Sequence, residues 1–295
     1  MKDLKLTIAA INLTVHPHPT PRIYAELMLD AYKLKSQVPI RGEAGGILCS
    51  VFESDPGNQK SWITGEIAKF LNIDMEQPWF DLVEFEEAAE EESKKINIPD
   101  HLKPNLTKIE YILIPETHTI FFEVFHSGNR ITPQMAKKFF VRLFSHDLIL
   151  AKYGHVEVTV VPRREIVETI LDSTSINELG LTITRPNSDD LGSEEQELLE
   201  ELDIQNSREL KIGHKSQQNK SIKPNEKLKV LSRIAAKNGI LSARIRDEQG
   251  VVIPVSTIDH PELKTVFYRP TVETFLDAFR RAISLMTSPF QEGAP

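Results

Sequence analysis

Leu4–Lys35, LKLTIAAINLTVHPHPTPRIYAELMLDAYKLK, is the stretch on which the reading of the whole chain turns. Leu4, Leu6 and Ile8 share one phase of a period-two pattern, and Ile11, Leu13 and Val15 share the other. The change of phase at Ala9-Ala10 fits either a bulge or a strand buried on both faces. Pro17, Pro19 and Pro21 remove three backbone donors and push the residues before them toward extended geometry, so the strand cannot run on. Thr20 is a sound N-cap and Pro21 suits the first helical position. Tyr24, Leu27, Met28 and Ala31 then recur at i, i+3, i+4 and i+7, the apolar face of a helix. His16 and His18 therefore sit on a stiff loop that closes a core strand, a place where loops carry function.

Outward from this stretch, the chain alternates short strands with amphipathic helices. Val38 to Phe52 reads as strand punctuated by Gly42, Gly45 and Gly46, and Asp55-Pro56-Gly57-Asn58 is a turn. Trp62 to Asp74 leans to strand on its aromatic and β-branched content. A short strand follows Pro78-Trp79-Phe80, and the glutamate-rich piece Glu84 to Lys95 reads as a solvated helix. Lys108–Ile114 and Thr119–Phe125 form a hairpin around Pro115-Glu116-Thr117-His118. Thr132-Pro133 opens a helix with Met135, Phe139 and Leu143 on one face, broken near Ser145 and ended by Gly154.

A strand His155–Val161, a helix Arg163–Asp172 and a strand Leu179–Thr184 follow. The order from Lys108 to Arg185 uses the elements of a ferredoxin-like, split-βαβ arrangement. An acidic helix with Leu191, Leu198, Leu199 and Leu202 as its apolar positions comes next, then a polar linker from Gln205 to Lys223. The last unit reads α-β-β-β-α: a helix Asn225–Asn238 capped by Gly239, strands Ile240–Arg246, Val251–Thr257 and Lys264–Tyr268, and a helix capped by Thr271. That helix is expected to bury Phe275, Leu276, Phe279 and Ile283. The fold class is α+β with mixed sheets, divided as 1–186, a linking segment 187–223, and 224–295.

Composition narrows the function classes. In 295 residues, 40% are hydrophobic and 26% charged, ordinary for a globular protein. No apolar run approaches the roughly 20 residues of a membrane span. Lys5 and Asn12 interrupt any signal-peptide core, so a cytoplasmic location without membrane contact is expected. The single cysteine, Cys49, excludes an internal disulfide and a multi-cysteine metal site. It reads as a buried small residue rather than a nucleophile.

The net charge of −8 hides a segregation. Ser188 to Asp203 carries eight acidic residues and no base, whereas Ser207 to Arg246 carries eleven Lys or Arg against two Glu. Such asymmetry marks a polyanion-binding face, or two segments that neutralise each other across a packed interface. On the first reading Arg163, Arg164, Lys227, Lys229, Arg233, Lys237, Arg244 and Arg246 contact phosphates. Lys229, Arg233 and Lys237 fall at i, i+4 and i+8 on one helical face.

His16 and His18, two apart on extended chain, point the same way and are the candidate acid–base pair. No third ligand stands at metal-site spacing, and no nucleophile elbow, P-loop or dinucleotide fingerprint is present, so neither a metal nor a cofactor is expected. Whether the chain is an enzyme stays open at this level. The functions in play are nucleic-acid binding, ribonuclease-type cleavage by His16 or His18, and non-catalytic assembly with a protein partner or with further copies of the chain.

Several blocks carry a resemblance. Ile11-Asn12-Leu13 with His16-Pro17-His18, Thr64-Gly65-Glu66-Ile67 with Phe70 and Asp74, and Pro78-Trp79-Phe80 resemble a bacterial family catalogued as a domain of unknown function. Ile98 to Asn105, Thr184 to Asp190 and Ala235 to Gly239 resemble the same family. The resemblance implies a bacterial, often mobile-element-associated protein and brings no reaction with it. The order of elements, and the Ala243–Gly250 hairpin above all, is also similar to phage exclusion proteins of the RexA type. That likeness implies antiviral defence and DNA binding.

Overall fold

In the computed structural model, residues 3–16, 20–56, 58, 61–187, 192–247 and 249–287 are described. The chain runs β1 (Leu4–Val15), α1 (Arg22–Lys33), β2 (Val38–Arg41), β3 (Ala44–Glu53), β4 (Ile63–Leu71), β5 (Phe80–Asp81), β6 (Glu86–Glu87) and α2 (Glu90–Ser93). Next come β7 (Thr107–Ile114), β8 (Thr119–His126), β9 (Asn129–Arg130), α3 (Pro133–Phe144), α4 (Asp147–Tyr153), β10 (Val156–Val160) and α5 (Arg164–Leu171). It continues through β11 (Ile176–Thr184), α6 (Ser193–Ile204), β12 (Glu209–Lys215), α7 (Glu226–Lys237) and β13 (Gly239–Arg246). It ends with β14 (Val252–Ser256), β15 (Lys264–Tyr268) and α8 (Phe275–Thr287).

β1 is the hub of a large antiparallel sheet ordered β10-β1-β8-β7-β4-β3-β2. One edge of β1 pairs with β8; the other pairs with β15 along Leu4–Ile8 and with β10 along Ile11–Val15. The change of phase in the sequence is explained by burial on both faces. Ala9, Ile11, Leu13 and Val15 pack into one core with Tyr24, Leu27 and Met28 of α1 and Phe139, Phe140 and Phe144 of α3. Leu6, Ile8 and Ala10 pack on the other side with Ala278, Phe279, Ala282 and Ile283 of α8. The bulge lies on the partner strand: Thr7 pairs with Phe125 and Ile8 with Glu123, which leaves Val124 as the extra residue.

A second antiparallel sheet, β12-β11-β13-β14, has its own core, formed by Leu179, Leu181 and Ile183 with α5, α6 and α7. The α+β class therefore holds, with all strand pairs in both sheets antiparallel. The strands between Lys108 and Arg185 are shared out: β7, β8, β9 and β10 join the first sheet, and β11 the second. The three strands of the last unit divide likewise, because β15 and α8 return to β1 while β13 and β14 stay with β11.

Local differences have local causes. The polar stretch 205–223 contains a strand, β12, whose Leu210 and Ile212 face the second core while Lys211, Gly213 and Lys215 face outward. The piece Glu84–Lys95 divides into the short strand β6 and the single turn α2, because Glu86 and Glu87 pair with β5 and Phe85 takes φ 62°, which no helix can contain. Gly239 does not cap α7 with positive φ. It opens β13, where a Cβ would lie 2.1 Å from the Thr182 carbonyl oxygen. The last helix begins at Phe275 rather than after Thr271, with the Thr274 hydroxyl accepting from the Asp277 amide at 3.1 Å. Leu276 faces partly outward. Leu191 lies outside the described residues.

Candidate functional site

Where the two sheets meet, the chain leaves a cleft of about 570 Å³. Its floor comes from Asn12 of β1 and from Thr117-His118-Thr119, the turn into β8. Its walls come from α5, from Pro186-Asn187 and from α7, with Glu195 of α6 at one side. Val161, Pro162, Val167 and Ala236 supply apolar surface between the polar groups. An apolar cleft of this size with few convergent polar groups is the usual form of a ligand site.

The floor is fixed by a buried hydrogen-bond knot. The Tyr24 hydroxyl donates to Asn187 Oδ1 at 2.7 Å, and Asn187 Nδ2 donates to the Leu13 carbonyl at 2.9 Å. The same Nδ2 lies 3.0 Å from His118 Nδ1. An amide nitrogen only donates, so Nδ1 accepts and the His118 ring proton belongs on Nε2. His118 adopts φ 52°, and its backbone carbonyl accepts from the Leu13 amide at 2.8 Å. Its ring centroid stands 4.8 Å from that of Tyr24. These contacts tie β1, α1, the β7–β8 turn and the segment after β11 into one rigid junction.

The walls carry the charge. Arg233 donates to Glu168 in a fork, Nε to Oε1 and Nη2 to Oε2, both at 3.0 Å. That pairing holds the Glu168 carboxyl below its ordinary range and raises the Arg233 guanidinium. Lys237 Nζ lies 3.5 Å from Glu195 Oε1, which also accepts from Asn238 Nδ2 at 3.4 Å. Glu195 is anchored in turn by the Gly192 amide at 3.1 Å. Arg164, the first residue of α5, is exposed at the mouth. Three cations against two carboxylates give the cleft a positive balance, and the ion pairs hold two of those cations in place.

The candidates drawn from the sequence are thus partly gathered. Arg164, Arg233 and Lys237 converge on the cleft. Lys229 lies on the same helix, paired with Glu226 at 3.0 Å, and Lys227 is exposed beside it. Arg163 precedes α5 and donates its backbone amide to the His260 carbonyl at 2.8 Å. Arg244 and Arg246 stand elsewhere, on β13: Arg244 Nε is 3.8 Å from Glu178, and Arg246 Nη1 donates to the Gly250 carbonyl at 3.0 Å. His16 follows the end of β1 with Nε2 3.5 Å from the Arg185 carbonyl, and burial lowers its pKa, which disfavours the protonated form. His18 lies outside the described residues.

Asn12, Asn187 and Asn238 lie in blocks that carry the family resemblance and His118 in the β7–β8 turn, but spacing alone gave none of them a place in a site. The block Thr184–Asp190 was the sequence signal nearest to Asn187. Cys49 is half-buried, its thiol donates to the Glu66 carbonyl at 3.3 Å, and burial raises its pKa, followed by the Glu66 charge. A thiol so placed is a poor nucleophile. Among the described residues no group of three or more His, Cys, Asp or Glu is arranged to hold a metal ion. Among them, too, no helix is long and apolar enough to cross a membrane.

The model of one protein family, described as "Domain of unknown function (DUF4747)", matches residues 4–284. No curated protein matches the chain.

Proposed function

Since the chain belongs to that family of unknown function across nearly its whole length, we propose from its own geometry that it is a nucleic-acid-binding protein that takes a single strand, or a strand end, into the cleft between its sheets. The observation that carries this reading is the convergence of Arg164, Arg233 and Lys237 on the cleft, with Asn12 on its floor; Asn187 and Asn238 are buried and already hydrogen-bonded, so they shape the cleft rather than contact a strand. Guanidinium and ammonium groups neutralise phosphates, and a side-chain amide such as that of Asn12 reads a base edge. A cleft of about 570 Å³ holds a nucleotide unit and excludes a duplex, whose major groove alone is about 12 Å wide.

The defence setting is part of the proposal and rests on the resemblance, read from the order of elements in the sequence, to RexA-type phage exclusion proteins. Arg244 and Arg246 fall outside this cleft, so on this reading they steer strands rather than seat them. Incubation with labelled single- and double-stranded DNA and RNA at low salt tests the reading. A salt-sensitive shift with single strands is expected, and a shift with duplex alone would contradict it.

A cleavage reading is favoured by one observation. His118, oriented by Asn187 and lining the cleft, is the histidine placed to act on a bound strand, rather than His16. Cleavage in the same incubation, lost in His118→Ala and kept in His16→Ala, would assign it.

A further inference from the structure

β4 and β7 are neighbouring antiparallel strands, with Lys69 paired to Thr107. Such neighbours are ordinarily joined by a loop of about two to five residues. Here the connection is residues 72–106, which carry ten acidic residues and three lysines. That net of −7 is nearly the whole excess charge of the chain, −8. Connections of this length are uncommon in a compact fold and are either functional or linkers.

The connection presents an ordered apolar tip. Phe80 and Asp81 of β5 pair with Glu87 and Glu86 of β6, and the Ala88 amide donates to the Trp79 carbonyl at 2.7 Å. Asp81 Oδ1 accepts from the Val83 and Glu84 amides at 2.7 and 3.1 Å, which turns the chain outward. Leu82 and Val83 are left 81% and 87% exposed. Phe80 and Phe85 flank them, packed edge to face with centroids 5.6 Å apart and both largely exposed. Phe85 holds φ 62°, an unfavourable conformation for an aromatic residue. Backbone strain of this kind persists where a presented side chain is held for contact.

We propose that this hairpin is a docking arm for a second protein whose binding surface is an apolar pocket rimmed by Lys and Arg. The chemistry of the occupant follows from the arm itself. Four exposed apolar side chains need an apolar partner surface. Glu84, Glu86 and Glu87 around them reject acidic partners and anionic lipid and speed encounter with basic ones. The turn is pre-organised by the Asp81 bonds, so little ordering is required on binding.

The test uses the full chain and two labelled helical peptides of the same amphipathic pattern, one built from Leu and Lys and the other from Leu and Glu. Anisotropy at low salt is expected to show binding of the Leu/Lys peptide alone. The pair Leu82→Ser with Val83→Ser, and separately Glu86→Lys with Glu87→Lys, should each weaken binding about tenfold or more. These residues are exposed, so circular dichroism should show the fold intact in both variants. Arg164→Ala, in the cleft, should bind the peptide as the unaltered chain does.

The proposal is overturned if neither peptide binds, if both bind alike, or if the arm variants bind unchanged. It is equally overturned if gel filtration shows a dimer that Leu82→Ser with Val83→Ser abolishes, which would make the occupant a second copy. Arm-dependent binding to phosphatidylcholine vesicles would make it a membrane and overturn the proposal too.

Discussion

Replacing Glu123 by Gln should stabilise the protein, and more so as pH rises. Glu123 lies on β8 opposite Ile8, beneath α8, and is 1% exposed. Its Oε2 is buried without a hydrogen-bond partner, 3.6 Å from His126 Nδ1. His126 Nε2 sits 2.8 Å from the Tyr268 hydroxyl, and burial lowers the His126 pKa. Burial raises the Glu123 pKa from 4.5 to about 8, with a backbone bond from Glu110 opposing and the charges of Glu110 and Glu66 adding.

At about 1.4 kcal/mol per unit, that rise corresponds to about 5 kcal/mol. The sign follows from proton counting. Below pH 4.5 both the folded and the unfolded chain hold the proton, and there is no penalty. Between 4.5 and about 8 the folded chain keeps the proton that the unfolded chain releases, so stability falls as pH rises. Above about 8 the penalty is complete. Water entry and relaxation reduce what is realised, to roughly 2–5 kcal/mol. Gln copies the protonated carboxyl, including a donor toward His126, and does not titrate. Urea unfolding at pH 5, 6, 7 and 8 checks this: the difference between Glu123→Gln and the unaltered chain should grow by roughly 1.5–3.5 kcal/mol across the range, since a little of the penalty is already present at pH 5 and a little is still to come at pH 8. Parallel pH profiles for the two proteins would refute the reasoning.

Three further outcomes follow from the fold and the site. Ile11→Ala removes a fully buried side chain from the hub strand and should cost about 2–5 kcal/mol in urea unfolding. Gly239→Ala forces a Cβ to within 2.1 Å of the Thr182 carbonyl oxygen, so β11 and β13 must separate; a lowered Tm and faster amide exchange in β13 should result. Tyr24→Phe leaves Asn187 Oδ1 without its 2.7 Å donor in a buried site and should cost about 1–3 kcal/mol, measured by thermal unfolding, and weaken strand binding with it.

Much of the architecture was legible because it is written in local periodicity. The two phases of Leu4–Val15 map onto the two cores that β1 separates, and Thr132-Pro133 opens α3 with the Thr132 hydroxyl accepting from the Met135 amide at 3.2 Å. β12 was not legible. Only Leu210 and Ile212 face its core, and its pairing with β11 is made by residues some thirty positions away. The cleft was half legible: charge marked Arg164, Arg233 and Lys237, but the fork that fixes Arg233 reaches back to Glu168 across 65 residues. The floor was hidden altogether, since Leu13, Tyr24, His118 and Asn187 meet only through tertiary structure. Single asparagines carry no pattern.

The salt dependence of single-strand binding tests the central claim most directly. With labelled single-stranded RNA and DNA, three phosphate contacts predict that log K falls against log salt with a slope of about −2, and that Arg164→Ala lowers both K and the slope, the latter by about 0.7. Absence of binding at low salt, or an affinity and slope unchanged by Arg164→Ala, would contradict the assignment of the cleft.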